Sequence, residues 1–198
     1  MLKSVSMAGI KNSEIVIGEG ITEKYYILSL LDTIKVRPTP IVIKPYNMEE
    51  LERAIKQYAA NGYTKIHCLI DMDNKVDNDS NMRKYQRLKQ KYDRKKVKKT
   101  ECDVLFYESH PSIELFFYYY FENSTAEKTN NGLKSWLNHK CDYETKPKYA
   151  FHKTFVRKGG CLRTAITNAK NSVRLRPDNS FHCSFTEVGD LIDYFGVK

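Results

Sequence analysis

The chain has 198 residues, of which 41% are apolar, and a formal net charge of +9, so it can bury the core of one domain and present a basic surface. No apolar run approaches the roughly 20 residues that cross a bilayer, and the opening residues MLKSVSMAGIKNSE lack the apolar centre of a secretory signal. We therefore expect a folded cytoplasmic protein that does not bind a membrane.

Apolar runs and helical periodicity alternate along residues 1–122. Short β-branched or continuously apolar runs predict strands at residues 14–17, 39–44, 65–70 and 104–107. Apolar residues at helical spacing predict helices at residues 22–31, 48–60 and 113–121. Continuously apolar strands that alternate with helices are typical of a parallel sheet covered on both faces. We expect an α/β fold with a mainly parallel four-stranded sheet flanked by helices.

The rest of the chain has a different pattern. Helical spacing predicts a short helix at residues 133–137 and longer ones at residues 161–173 and 186–195. We therefore divide the chain into a core domain, residues 1–122, and a mostly helical C-terminal extension, residues 123–198, packed on that core.

The net charge is concentrated in one stretch, residues 81–100, which we call the basic segment. It contains ten Lys and Arg residues against one acid, Asp93, and its pattern predicts a helix. A localised cationic strip suits a polyanion, because phosphate contacts dominate non-specific affinity for nucleic acid. The alternative is a solvated helix whose charge serves only solubility. The predicted nucleic-acid contacts in this segment are Arg83, Lys84, Arg87, Lys91, Arg94 and Lys95, and Lys146 is a further predicted contact outside it.

The five cysteines give no sign of a disulfide framework or a metal knuckle. They are odd in number, and no two of them form a CxxC pair. We expect reduced, partly buried thiols.

Acidic residues follow the ends of the predicted strands, where ligands gather in an open parallel sheet. The candidates are Glu19, Glu23, Asp71, Asp73 and Glu114. Clustered carboxylates repel one another, and Mg²⁺ is a hard cation that compensates such a cluster. Each residue also has an ordinary explanation. Glu23 can stabilise a helix N-terminus, Asp73 can cap a turn, and Glu114 can pair with a Lys or Arg residue.

Three motifs carry a resemblance to a known family. Residues 17–26, IGEGITEKYY, resemble the glutamate motif of Toprim domains in the form typical of RloB-like and OLD-type proteins. Residues 69–73, LIDMD, resemble the DxD motif that follows it. Residues 109–121, SHPSIELFFYYYF, resemble the SNPxFELWLLxHF segment of RloB-like proteins, although His110, Ile113 and Phe116 depart from that pattern. The order of further segments also follows this family, so the resemblance covers nearly the whole chain.

The resemblance implies a Toprim-like fold and metal-dependent hydrolysis of phosphodiester bonds in antiphage defence or abortive infection. Glu19, Asp71 and Asp73 would bind one or two Mg²⁺ or Mn²⁺ ions, with Glu23 and Glu114 as further ligands or as partners of the ligands. The implied substrate is DNA or RNA, tRNA included. The candidates for neutralising charge on the phosphate are Lys146, Lys148 and Lys153, each of which has the alternative of an ordinary surface lysine.

Other functions stay open. The second hypothesis is a nucleic-acid-binding regulatory subunit, because RloB-like proteins are often encoded beside an ATPase that would be the partner. A third is strand transfer or priming by Toprim chemistry. The sequence contains no Walker-type motif, so we do not expect the chain to hydrolyse ATP by itself. His110 and His152 are either general bases or structural residues, and a homo-oligomer is compatible with the sequence.

Overall fold

The computed structural model describes residues 13–34, 41–43, 47–124, 126–144, 150–177 and 181–196. Its strands are β1 (Glu14–Gly18), β2 (Ile41–Ile43), β3 (Lys65–Asp71), β4 (Lys95–Lys96), β5 (Asp103–His110) and β6 (Phe185–Thr186). Its helices are α1 (Ile21–Ile34), α2 (Met48–Ala60), α3 (Asp73–Val76), α4 (Asp79–Tyr92), α5 (Glu114–Tyr118), α6 (Asn130–Cys141), α7 (Phe151–Arg157), α8 (Leu162–Arg174) and α9 (Val188–Tyr194).

The sheet is open and mixed, with the strand order β2-β1-β3-β5-β4 and with β6 paired to β5. The four predicted strands are present as β1, β2, β3 and β5. These four strands pair with one another in parallel. The prediction was incomplete, because β4 and β6 add antiparallel pairings to β5. Each of these strands has only two residues, which is too few to show the alternation that identifies a strand in a sequence.

Hydrophobic residues cover both faces of the sheet, as the continuously apolar strands predicted. In β1, Ile15 and Ile17 pack toward α2 and α4, whereas Val16 packs toward α1 and α5. The core on the Val16 side also contains Leu137 of α6 and Leu191 of α9. The C-terminal extension therefore shares its core with the sheet, and through β6 it also contributes a strand.

The basic segment is helical only in its first half, so the prediction of a helix through residue 100 was wrong. Helix α4 ends at Tyr92, and Asp93 accepts a hydrogen bond from the backbone N–H of Phe106. Arg94 adopts a positive φ of 53°, and β4 then runs back along β5. Burial of Val97 against the sheet accompanies this turn. Tertiary packing thus overrides the helical tendency of the lysine-rich sequence.

The helix boundaries differ from the sequence predictions in smaller ways. Helix α1 begins at Ile21, and α5 is shorter than the predicted residues 113–121. The sequence analysis missed α7. Among the described helices, none combines the length and apolar character that crossing a membrane requires. All five cysteines are free thiols, as expected.

Candidate functional site

The turn after β1 brings two glutamates to the edge of the sheet. Glu19 lies in the turn, and Glu23 lies in the first turn of α1 with its side chain buried. Glu23 folds back over the turn so closely that a Cβ on Gly18 would lie 2.8 Å from Glu23 Cβ. A Cβ on Gly20 would lie 2.4 Å from Glu23 Oε2. The two glycines therefore give the Glu23 side chain its room.

The loop between β5 and α5 fixes the acids at the end of β3. The carbonyl oxygen of Pro111 accepts hydrogen bonds from the backbone N–H groups of Met72, at 3.1 Å, and Asp73, at 3.0 Å. In return, Asp71 Oδ1 accepts a hydrogen bond of 2.9 Å from the backbone N–H of Ile113. The ends of these adjacent parallel strands are thus joined around the two aspartates.

Glu114 and Asp73 have side-chain partners in the extension, and Ser112 is a further partner of Glu114. Glu114 Oε1 accepts a hydrogen bond of 2.8 Å from the Tyr143 hydroxyl, and Glu114 Oε2 accepts one of 2.7 Å from Ser112 Oγ. The side-chain amide of Asn130 donates to Asp73 Oδ2. Lys134 Nζ lies 3.9 Å from Glu114 Oε1. Helix α6 therefore closes one side of the site.

These elements enclose a cleft of about 310 Å³, which we call the carboxylate cleft. All five acids singled out in the sequence line it, together with Asn74, Asn130 and Lys134. Negative charge is crowded there. Burial, Glu114 and Glu19 raise the pKa of Glu23 to about 7. Burial, Glu23 and Glu114 hold the pKa of Asp71 well above its usual range.

Lys75 lies against this cluster and was missed in the sequence analysis. Its ammonium group donates to both carboxylate oxygens of Glu19, at 2.7 and 3.0 Å, and to the carbonyl oxygen of Asp71, at 2.6 Å. The pKa of Glu19 is nevertheless raised, because burial outweighs the attraction of this lysine. The spacing of Lys75 from Asp71 is visible in the sequence, but its contact with Glu19, in the turn after β1, depends on the pairing of β1 with β3.

A comparison with protein-family models agrees with the order of the motifs. The model described as RloB-like protein matches residues 15–195. The chain belongs to the RloB-like protein family. The matched residues include both the sheet and the C-terminal extension of this RloB-like protein. No curated protein and no solved structure matches the chain.

The donor atoms of the RloB-like cleft suit a hard divalent cation. Within the described residues, Glu23 Oε2 is buried and has no hydrogen-bond partner. Carboxylate oxygens are the ligands that Mg²⁺ prefers in proteins. However, no group of three or more His, Cys, Asp or Glu side chains in the described ranges is already arranged to hold an ion. Lys75 engages Glu19, and Asn130 engages Asp73, so two candidate ligands are held by other groups.

Lys153 is the one predicted phosphate-binding lysine that the structure describes, and it lies away from the cleft. Lys153 lies on α7, where its ammonium pairs with Asp32 near the C-terminal end of α1, and it does not line the carboxylate cleft. Lys146 and Lys148 lie outside the described residues. Lys134 of α6 is the lysine that the structure places on the cleft wall, and no sequence motif identified it.

The two histidines considered as general bases are not part of the cleft lining. His152 is buried and forms a hydrogen bond of 2.9 Å with Tyr120, whose hydroxyl lies 2.9 Å from that of Tyr26. His110 packs edge-on against Phe181 beside the sheet. Neither histidine lines the carboxylate cleft. His152 therefore belongs to the hydrophobic core.

The basic residues predicted to bind nucleic acid are exposed, but several are paired. Lys84 lies 3.1 Å from Glu49, and Lys91 lies 2.7 Å from Glu52, so α2 neutralises part of the charge on α4. The exposed residues of the predicted set are Arg83, Lys84, Arg87, Lys91, Arg94 and Lys95. The predicted contact Lys146 lies outside the described residues.

Two further depressions connect the cleft with the basic segment. The first, of about 190 Å³, shares Glu19 and Asn74 with the carboxylate cleft and also contains Lys75 and Lys84. The second, of about 250 Å³, lies between α2 and α4. It is lined by three basic residues, Lys84, Arg87 and Lys91, and by the acids Glu49 and Glu52, which pair with Lys84 and Lys91. We call the first depression the passage, because it joins the acidic cleft to the basic groove.

Proposed function

We propose that this RloB-like protein is a Toprim-type nuclease that uses Mg²⁺ or Mn²⁺ to hydrolyse phosphodiester bonds of DNA or RNA, tRNA included, in antiphage defence. The observation that carries the proposal is the convergence of five carboxylates in one cleft, with Glu23 Oε2 buried and without a partner among the described residues. Buried, uncompensated carboxylates favour the binding of a cation.

The roles of the residues follow from their positions. Glu19, Asp71 and Asp73 are the proposed ligands, with Glu23 and Glu114 as further ligands or as groups that hold them. One or two bound ions would supply a polarised phosphoryl oxygen and a water of lowered pKa. Asn130 orients Asp73 through its side-chain amide. Tyr143 and Ser112 orient Glu114, because Tyr143 donates a hydrogen bond to Oε1 and Ser112 donates one to Oε2.

A nucleic-acid substrate is supported by the surface that adjoins the cleft. The passage leads from Glu19 to Lys84, and the groove beyond it contains Arg87 and Lys91. A phosphate backbone that follows this line would neutralise its charge on α4 while one phosphate enters the carboxylate cleft. Lys134 lines the cleft 3.9 Å from Glu114 Oε1 and adds a positive charge close to the acids. We assign to Lys134 the phosphate-neutralising role for which Lys146, Lys148 and Lys153 were the candidates in the sequence.

The test is a cleavage assay with plasmid DNA, single-stranded DNA and total tRNA in Mg²⁺, Mn²⁺ or EDTA. Asp71→Asn keeps the side-chain oxygen that accepts from Ile113 and removes one charge from the cleft. Asp32→Asn is the matched control, because Asp32 is an exposed acid at the other end of α1. We expect metal-dependent cleavage in the wild type and in Asp32→Asn, and none in Asp71→Asn. Equal cleavage by both variants would refute the proposal.

The second candidate function is a nucleic-acid-binding regulatory subunit that works with a partner ATPase. The engagement of Glu19 by Lys75 favours it, because one of the proposed ligands is already neutralised. Under this hypothesis the protein binds nucleic acid in a salt-sensitive manner and cleaves nothing in any metal. Turnover that remains absent when the partner is added would support this function over the nuclease.

A further inference from the structure

Lys75 is a fully satisfied cation inside an acidic site. Its residue surface is only 5% exposed, and its ammonium contacts three oxygen atoms at 2.6–3.0 Å. A lysine ammonium has three N–H donors, so both oxygens of Glu19 and the carbonyl of Asp71 use all of them. The protein therefore places one fixed positive charge between the ends of β1 and β3.

The three oxygens that Lys75 contacts have the chemistry of divalent-cation ligands. Both Mg²⁺ and Mn²⁺ accept carboxylate and main-chain carbonyl oxygens. A single ammonium compensates only part of the surrounding charge, since Glu23 and Asp71 line the same cleft. Within the described residues Glu23 Oε2 still has no partner. Lys75 thus fills one position in a site whose negative charge suits a cation of higher charge than an ammonium group.

The structure also provides space for Lys75 to move. The side chain of Lys75 lines the passage as well as contacting Glu19. The polar residues Asn47, Glu49 and Asn81 line the same passage. The flexible four-carbon stem of lysine allows the ammonium to change partners without a change in the backbone.

We propose that Lys75 occupies the position of a divalent cation until the ion binds, and that its ammonium group then leaves Glu19 for the passage. This inference rests on the proposed function, since it requires that the cleft bind a metal ion. Lys75 is then a positioning residue with two states. In the first state it holds Glu19 in place, and in the second it adds positive charge to the path between the cleft and the basic segment.

The first experiment compares Mn²⁺ affinities of the full chain by titration calorimetry at one pH and one ionic strength. Lys75→Met removes the competing ammonium, so Mn²⁺ should bind about tenfold more tightly, or more, than in the wild type. Lys153→Met is the matched control. Lys153 lies on α7, pairs with Asp32 on the surface and does not line the carboxylate cleft. We expect the Mn²⁺ affinity of this variant to change by less than about threefold, because a surface ion pair contributes little.

The second experiment uses the wild type and avoids any loss of folding in Lys75→Met. Lysines are methylated reductively with and without saturating Mn²⁺, and the rate at Lys75 is measured by mass spectrometry. Lys153, which pairs with Asp32 on the surface, is the internal standard. Lys75 should be protected without the ion and labelled several times faster with it, while the rate at Lys153 stays constant.

The outcomes separate this inference from the proposed function. If Mn²⁺ binds to the wild type but Lys75 stays protected, Lys75 is not displaced and the inference is wrong. The same conclusion follows if Lys75→Met binds Mn²⁺ no more tightly than Lys153→Met. If neither the wild type nor either variant binds a divalent ion, the metal-dependent function is wrong as well, and the inference falls with it.

Discussion

Gly20 lies directly against the carboxylate of Glu23, and a Cβ at this glycine would lie 2.4 Å from Glu23 Oε2. Gly18 is close to the same residue, but there the contact is with Glu23 Cβ, at 2.8 Å. A carboxylate at the end of a side chain can move away, whereas a Cβ atom moves only with the backbone. The two glycines of the turn therefore constrain different parts of Glu23.

The first prediction compares these glycines. Gly18→Ala should lower the free energy of unfolding by about 1–3 kcal/mol, because it forces the backbone of α1 away from the turn. Gly20→Ala should lower it by less than about 1 kcal/mol, and should weaken Mn²⁺ binding because Glu23 is displaced. Urea denaturation in EDTA and Mn²⁺ titration measure the two effects. Equal losses of stability in Gly18→Ala and Gly20→Ala would contradict the inference that only Gly18 constrains the backbone of α1.

The second prediction concerns Glu187, which precedes α9. Its Oε2 accepts a hydrogen bond of 2.8 Å from the backbone N–H of Glu108, and burial raises its pKa to about 6. A raised pKa means that the folded state binds the proton more tightly than the unfolded state. The stability from this group is therefore complete below the unfolded pKa of 4.5 and is lost as the pH rises through about 6.

Glu187→Gln keeps an oxygen acceptor for Glu108 and cannot ionise. Between pH 4.5 and pH 7 the wild type should lose stability relative to this variant, by an amount on the order of 1–2 kcal/mol. Urea denaturation across this pH range provides the measurement. Parallel stability curves for the two proteins would show that Glu187 does not titrate differently in the folded state.

The third prediction separates the basic groove from surface lysines elsewhere. Arg87 lies in the groove between α2 and α4, whereas Lys153 pairs with Asp32 on α1. Arg87→Ala should weaken nucleic-acid binding at every sequence and reduce the slope of log affinity against log salt by about one. Lys153→Ala should change neither quantity. Fluorescence anisotropy with a labelled oligonucleotide at several salt concentrations measures both, and a larger effect from Lys153→Ala would place the interface elsewhere.

The fourth prediction distinguishes a structural histidine from a general base. His152 Nδ1 lies 2.9 Å from the Tyr120 hydroxyl, and the backbone N–H of His152 donates to Ser29 Oγ at 3.0 Å. His152→Ala should lower the free energy of unfolding by about 1–3 kcal/mol, because it leaves a cavity and removes one of the two hydrogen-bond partners of the Tyr120 hydroxyl. At a temperature where the variant is folded, its cleavage rate should match that of the wild type. A loss of cleavage without a loss of stability would assign His152 to the chemistry.

The sequence predicted the acids of the cleft better than it predicted their partners. Glu19 and Asp71 follow apolar strands, and the ends of parallel strands meet at one edge of a sheet, so their proximity follows from the pattern alone. Lys75, Asn130 and Tyr143 reach the acids from α3, α6 and the turn after α6. Their positions depend on how those segments pack, and no periodicity in the sequence encodes that packing.

The same dependence on tertiary packing explains the errors in the prediction of the fold. The apolar runs of the central strands and the helical spacing of the longer helices are visible in the sequence, so the presence of these elements was predicted although several of their ends were not. The turn at Arg94 and the pairing of Lys95 with Val104 depend on contacts with β5. A run of lysines gives no local signal for such a turn, so the basic segment was predicted as one helix.

The pairing of β6 with β5 determines how much of the chain a fusion protein would need in order to contain the carboxylate cleft. The extension provides a sheet strand, the Arg176 guanidinium beside Glu108, and the Asn130 and Tyr143 contacts to the acids. Residues 1–122 alone would keep every acidic motif but would expose the Val16 side of the core. Residues 1–122 therefore do not form an independent domain, and a gene fusion that transfers the acidic motifs must include the C-terminal extension as well.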